Sequence, residues 1–143
     1  MYLVVDGPID VPSVRAAVDD PGFGAILVFE GVGRNHFEGR PVVALEYEAY
    51  PPMAIKEMQR IGVEVGQRWP GVAVAMVHRT GRVAIGEPSV VIAVGAPHRG
   101  ACYAASRYAI DTLKDRVPIW KKEVYADGSA WKANAPGGEP PAR

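Results

Sequence analysis

The chain has 143 residues, 48% of them apolar and 22% charged, which suffices for one ordinary core and excludes a mostly disordered polymer. Its 16 basic and 16 acidic side chains cancel, so general nucleic-acid binding, which needs an excess of cations, is not expected. The cancellation is uneven: residues 1–97 carry a net −3 and residues 98–132 a net +3, and such a basic stretch suits a small anionic ligand or an acidic partner.

In chain order, residues 2–5 read as a short strand, and Asp10 caps a helix with Pro12 in its first turn that runs to about Val18. Pro21-Gly22 breaks it, and the dense apolar run from Gly24 to Val32 reads as a buried strand. A polar loop, Arg34 to Glu38, precedes a strand from Val42 to Tyr47. Pro51-Pro52 opens a helix over Met53 to Trp69, stopped by Pro70-Gly71. Val72 to His78 and Val83 to Ile85 read as a hairpin across Thr80-Gly81, with a second turn at Gly86-Glu87-Pro88. Ser89 to Val94 is another apolar strand, the next helix runs from His98-Arg99 to Arg116, and Ile119 to Val124 is extended after Pro118. The order predicts one α+β domain over residues 1–132, with a mixed or antiparallel sheet and helices packed on it. Residues 133–143, with three prolines and two glycines, read as a flexible tail.

No apolar run approaches the roughly 20 residues of a membrane helix, and Met1 to Pro8 has no basic n-region, so neither a membrane association nor a secretory signal is expected. The single Cys102 allows no intramolecular disulfide and fits the cytoplasm. His36, His78 and His98 are far apart in sequence, without clustered carboxylates, so neither a metal nor a cofactor is expected. Gly31-Val32-Gly33 lacks the rest of a dinucleotide fingerprint, and no serine sits in a nucleophile elbow.

Four places carry cations in a suggestive setting. At about 100° per residue, Arg99, Tyr103, Arg107, Ile110 and Lys114 share one helix face, while Cys102, Ala105, Ser106, Ala109 and Leu113 form the core face. That basic face is either a solvated surface paired with Asp111 and Asp115 or one wall of an anion site. His98 and Arg99 lie where a buried strand hands over to a helix, and there the backbone N–H groups suit a phosphate; a plain N-terminal cap is the alternative. Lys121 and Lys122 face opposite ways on an extended segment, so one can serve a site while the other meets water, unless both merely guard a sheet edge. Arg34 and His36 follow the first buried strand, at a site or at an exposed tip. Cys102 projects with the core face and reads as structural.

Taken in order, these segments resemble one family. The stations are Gly24-Ala25-Ile26-Leu27-Val28-Phe29-Glu30-Gly31, Arg34-Asn35-His36, Leu45-Glu46-Tyr47-Glu48-Ala49-Tyr50-Pro51, Val77-His78-Arg79-Thr80-Gly81, Gly86-Glu87, Pro97-His98-Arg99 and Pro118-Ile119-Trp120-Lys121-Lys122-Glu123. Over residues 2–132 the chain resembles the large, catalytic subunit of molybdopterin synthase, the MoaE family. The resemblance implies an α/β hammerhead with an additional small antiparallel sheet. It implies a sulfurtransferase that converts cyclic pyranopterin monophosphate (precursor Z) into molybdopterin, taking both dithiolene sulfurs from a small ubiquitin-like, MoaD-type partner that ends in a Gly-Gly thiocarboxylate. It further implies a homodimer of large subunits flanked by two small ones. Carried over by motif, Lys114 and Lys121 are catalytic, Arg34, His98 and Arg99 bind substrate, and Phe29 and Ile110 lie along the partner's tail.

Those residue types suit that chemistry: guanidinium forks hold phosphate oxygens, and a lysine held partly out of water can serve proton transfer or imine-type chemistry. Two departures stand out. The family commonly has Gly-x-Val-Arg where this chain reads Gly31-Val32-Gly33-Arg34, and a glycine loosens the backbone before Arg34. Some relatives carry a C-terminal arginine that reaches the neighbouring subunit; here Lys132 and Arg143 are the available cations. The rival reading is a non-catalytic module that holds a phosphorylated metabolite or a partner's acidic tail, and the pair Lys114 and Lys121 favours the enzyme.

Overall fold

The structure is a computed structural model that describes residues 1–133. Its elements are β1 (Tyr2–Asp6), α1 (Val11–Ala16), β2 (Ala25–Val32), β3 (His36–Phe37), β4 (Arg40–Ala49), α2 (Pro51–Arg68), β5 (Ala73–Ala84), β6 (Pro88–Ala96), α3 (Arg99–Arg116), β7 (Ile119–Tyr125) and β8 (Gly128–Ala133). The strands run in the order β2-β6-β5-β4-β7-β8, with β1 parallel to β5 and β3 on β4. All other pairs are antiparallel, so the fold is α+β around a mixed sheet. The tail expected from residue 133 overlaps the last residue of β8, and residues 134–143 lie outside the described residues.

Local chemistry sets the helix starts. The Asp10 carboxylate accepts from the Ser13 N–H and Pro12 fills the first turn of α1, while Pro51 and Pro52 open α2, where missing N–H groups cost nothing. Val14 of α1 and Val18 just after it pack on Ala75, Val77, Val91 and Ala93, on one face of the sheet. On the other face α2 and α3 bury Met58, Ile61, Cys102 and Ala105 against Met76, Ile92 and Val94. Alternation along β5 therefore sends Val77 to the first face and His78 to the second.

The hairpin expected across Thr80-Gly81 does not form there. β5 runs unbroken through both residues, pairing with β6 and β1 up to His78 and Thr80 and with β4 from Gly81 onward. Gly81 takes φ +84°, a left-handed conformation that bends the strand from one sheet into the next. The turn that reverses the chain is the second one, where Gly86 has φ +86° and the Glu87 carboxylate accepts from Ala84 N–H at 2.9 Å. The strand β8 was not anticipated either; it pairs with β7 from Trp120 to Tyr125 and extends the small antiparallel sheet of β4 and β7.

A clamp joins the two long helices. Arg116 near the end of α3 donates to both Glu64 oxygens at 2.7 Å and from Nε to Glu57 at 2.8 Å. The Tyr108 hydroxyl also donates to Glu64, and Trp69 meets the Tyr108 ring edge-on at 5.7 Å. The Arg116 guanidinium, followed by the Tyr108 hydroxyl, holds the Glu64 carboxyl down at about 2. Its folded value is below its unfolded one, so the clamp contributes fully above about pH 4.5 and is lost as pH falls towards about 2. Arg116→Ala is expected to cost about 1–2 kcal/mol at pH 7, the lower range for a charged hydrogen bond that water partly reaches. Urea unfolding at pH 7 and at successively lower pH should show the gap between wild type and variant narrowing below pH 4.5.

Candidate active site

A cavity of about 160 Å³ opens beside the bend in β5. Its wall is drawn from the end of β2 and the loop after it, His36 and Phe37 of β3, the middle of β4 and β5, the start of β6, one face of β7 and the last turns of α3. Period-two alternation selects the β7 contribution: Ile119, Lys121 and Glu123 line the cavity, and the register sets Lys121 opposite Tyr47 and Glu123 opposite Leu45, both also in the wall. Lys122 faces the other way and places Nζ 3.0 Å from Glu46 Oε2. Thus the two adjacent lysines separate as their alternation requires.

Helical spacing brings Ile110, Leu113 and Lys114 to the same wall from α3. Lys114 is exposed at the mouth, and Lys121 is half-buried with Nζ 3.8 Å from Glu123 Oε1. Glu123 is buried and accepts from the Tyr125 hydroxyl at 2.6 Å, a bond that pushes the Tyr125 phenol above its ordinary value. The third cation, Arg34, is exposed just beyond β2. Three positive side chains, from α3, β7 and the loop after β2, therefore meet one cavity, an arrangement that attracts an anion before it enters.

Gly33 does not loosen the backbone before Arg34. It is buried, its carbonyl accepts from Gly86 N–H at 3.1 Å, and a Cβ placed on it would lie 2.5 Å from Leu45 Cδ1. Leu45 occupies the space a larger residue would need, so the residue before Arg34 is closely packed.

His98 and Arg99 lie elsewhere. They are exposed at the start of α3, and His98 makes no side-chain cap bond. Fifteen helical residues separate Arg99 from Lys114, about 22 Å at 1.5 Å per residue, so one chain does not bring them into its own cavity. Arg107, expected on the same face, is exposed and pairs with Asp111 at 3.5 Å. Phe29 is half-buried on β2 and lines no part of the cavity, but its Cε1 lies 3.5 Å from the position of a Cβ on Gly31, which does. Cys102 is wholly buried, donates to the Val94 carbonyl at 3.2 Å, and burial raises its thiol pKa. Lys132 belongs to β8 by its backbone, and Arg143 lies outside the described residues.

Sequence reasoning missed the cavity's uncharged floor. His78, Tyr47 and Ser89 all line it. His78 is 3% exposed, and its Nδ1 is 2.8 Å from the Arg79 carbonyl. Burial lowers its pKa to about 4, with the nearby Lys114 charge adding to the effect against the opposing Arg79 carbonyl bond. Tyr47 meets the His78 ring edge-on at 5.1 Å, and burial raises the Tyr47 phenol despite a hydrogen bond with Ser89. Tyr47 and His78 both lie in stations that carry the family resemblance, but a lone tyrosine or histidine in a strand gives no sign by itself of facing a site.

A family model described as MoaE protein matches residues 4–116. The molybdopterin synthase catalytic subunit of Nostoc sp. is 45% identical over 130 residues, 90% of this chain and 79% of that protein. The human molybdopterin synthase catalytic subunit is 49% identical over 126 residues, 88% of this chain and 67% of that protein. Among solved structures, molybdopterin synthase from Staphylococcus aureus superposes with a TM-score of 0.89 at 43% identity, covering 92% of this chain and 96% of that one.

The packing of Gly33 is open to a direct check. Gly33→Ala and Leu45→Ala should each destabilise the fold, while the double variant should lose about 1 kcal/mol less than the two losses combined, because truncating Leu45 vacates the position the new methyl needs. Urea unfolding of the four proteins measures that coupling, and strict additivity would show that Leu45 does not hold Gly33.

Proposed function

The chain belongs to the MoaE family, and on that footing we propose that it is the large, catalytic subunit of a molybdopterin synthase. It transfers sulfur from the thiocarboxylated C-terminus of a small ubiquitin-like subunit to precursor Z, and the product is molybdopterin. The observation that carries the reading is the convergence of Arg34, Lys114 and Lys121 on one cavity. Substrate phosphate and incoming thiocarboxylate are both anions, and this cavity offers cations to both. Each delivery breaks the partner's acyl carbon–sulfur bond and leaves a carboxylate whose new oxygen comes from water. Two sulfurs therefore require two small-subunit tails in turn.

The lysines stand where proton traffic is needed. An ammonium at Lys114 or Lys121 can neutralise the thiocarboxylate and hand a proton to oxygen leaving the pterin side chain. Arg34 holds phosphate, and Ile110, with Phe29 beyond Gly31, flanks the path of the partner's tail. No sulfur of the protein itself is required, which agrees with a buried Cys102 turned to a main-chain carbonyl. A single reduced cysteine suits the cytoplasm, and among the described residues no helix is long and apolar enough to cross a membrane.

His98 and Arg99 enter the reading through a second copy. A helix of about 27 Å puts them out of reach of their own cavity, so a homodimer that sets the start of one α3 at the other chain's cavity unites all five residues. With one small subunit per cavity the working assembly is a 2:2 complex. Mixing Arg99→Ala with Lys114→Ala should then restore activity, because a mixed dimer holds one cavity with both native residues. Synthesis by the mixture at no more than the sum of the separate variants would count against a shared site.

Single-turnover formation of molybdopterin, with thiocarboxylated small subunit and precursor Z, separates the roles of the cations. Lys114→Ala and Lys121→Ala should lower the rate at saturation by about a hundredfold or more, in the range for a lost proton-transfer group. Arg34→Ala should chiefly raise the apparent KM for precursor Z. Lys122→Ala, on the opposite face beside Glu46, should change the rate little. Normal saturated rates in both cavity-lysine variants would reduce the two lysines to electrostatic guides and favour a binding module.

A further inference from the structure

We propose that His78 is a substrate-recognition residue, whose Nε2 accepts a hydrogen bond from an N–H donor of the bound pterin ring; the proposal rests on the function given above and deepens it. The argument begins with the tautomer. A carbonyl can only accept, so the Nδ1 that lies 2.8 Å from the Arg79 carbonyl carries the ring proton. The lone pair is then on Nε2. The ring lines the cavity, is 3% exposed, and is held edge-on by Tyr47 at 5.1 Å. Its orientation is therefore set from two sides before any ligand arrives.

The rest of the cavity explains why an acceptor matters. Arg34, Lys114 and Lys121 bring donors only, and His36, the other histidine in the lining, is exposed at the rim with Nδ1 3.0 Å from Asn35 Oδ1. Tyr47 and Ser89 hydrogen-bond with each other, and Ser89 also reaches the Gly31 carbonyl at 3.2 Å. Glu123 is engaged by Tyr125 at 2.6 Å and lies 3.8 Å from Lys121. Donors at the rim hold phosphate but do not answer a heterocycle's N–H groups at the buried floor, and an unanswered buried donor penalises binding. A neutral imidazole acceptor answers one of them. Burial keeps the ring uncharged down to a pH of about 4, so the lone pair persists through the whole neutral range.

Two substitutions separate recognition from structure. The amide nitrogen of asparagine can replace Nδ1 at the Arg79 carbonyl and leaves nothing at Nε2, whereas the amide of glutamine reaches the Nε2 position. With precursor Z and thiocarboxylated small subunit, His78→Asn should raise the apparent KM for precursor Z about tenfold, the scale of one lost hydrogen bond. The saturated rate and the affinity for the small subunit should hold, and His78→Gln should recover most of the KM. Thermal unfolding of both variants accompanies the kinetics. An unchanged KM in His78→Asn overturns the proposal, as does an equal rise in both variants that tracks a fall in Tm, which would make His78 a packing residue. If the wild-type protein makes no molybdopterin at all, the functional reading falls and takes this inference with it; an active wild type with an indifferent His78→Asn removes the inference alone.

Discussion

β5 has to serve two sheets, because it pairs with β6 and β1 in its first part and with β4 at its end. A regular twelve-residue strand offers no change of direction between those duties. Gly81, at φ +84°, supplies it, and a Cβ there would lie 3.1 Å from Asp6 Oδ1 as well as straining the backbone. The bend is braced from the face opposite His78. Arg79 is buried, donates to the Arg82 carbonyl at 2.9 Å, and places Nη1 3.4 Å from a Glu87 oxygen. Glu87 in turn ties down the turn after Ala84. The stretch from His78 to Gly81 thus contains one cavity residue and the hinge that makes room for the cavity beside it.

The cavity grades from charge at its mouth to neutrality at its floor, and solvation explains the order. Lys114 and Arg34 keep water at their charged ends, which removes most of the cost of holding cations together. Deeper in, a full charge requires a partner, and Glu123 has Tyr125 and Lys121 beside it. His78 has a main-chain carbonyl instead of a carboxylate, so burial drives it neutral. An anionic group is consequently drawn to the rim while the uncharged part of the same molecule meets the floor. That division matches a ligand with a phosphate at one end and a heterocycle at the other.

What could be read from the residues followed the local periods. The core face of α3 and the opposed lysines of β7 are statements about 3.6 and 2.0, and Cys102, Ala105, Ala109 and Leu113 are buried as that spacing requires. Thr80-Gly81 bends a strand instead of turning a hairpin, because a glycine after a β-branched residue signals a turn and a bend equally and only non-local pairing with β4 distinguishes them. β8 was hidden for a similar reason, since its place is set by β7 rather than by its own composition. Among site residues, the cations announced themselves by charge. His78 did not, because its role comes from Nδ1 being occupied by a carbonyl, and hydrogen-bond geometry has no period in sequence.

The two ends of α3 show how a helix can work as a ruler. Its start carries exposed His98 and Arg99; its last turns carry Ile110, Leu113 and Lys114 into the cavity wall. Between them Cys102, Ala105 and Ala109 are small enough to seat the helix closely on β2 and β6, and the Arg116 clamp fixes its far end to α2. A helix held at both its face and its end cannot bend to bring its termini together, so the separation of about 22 Å is a fixed dimension. Cations that rigidly held apart cannot serve one small ligand inside one chain. For the start of α3 to act on such a ligand, the ligand must lie in another copy's cavity, and in that arrangement the stiffness of the helix becomes the precision with which two subunits share a site.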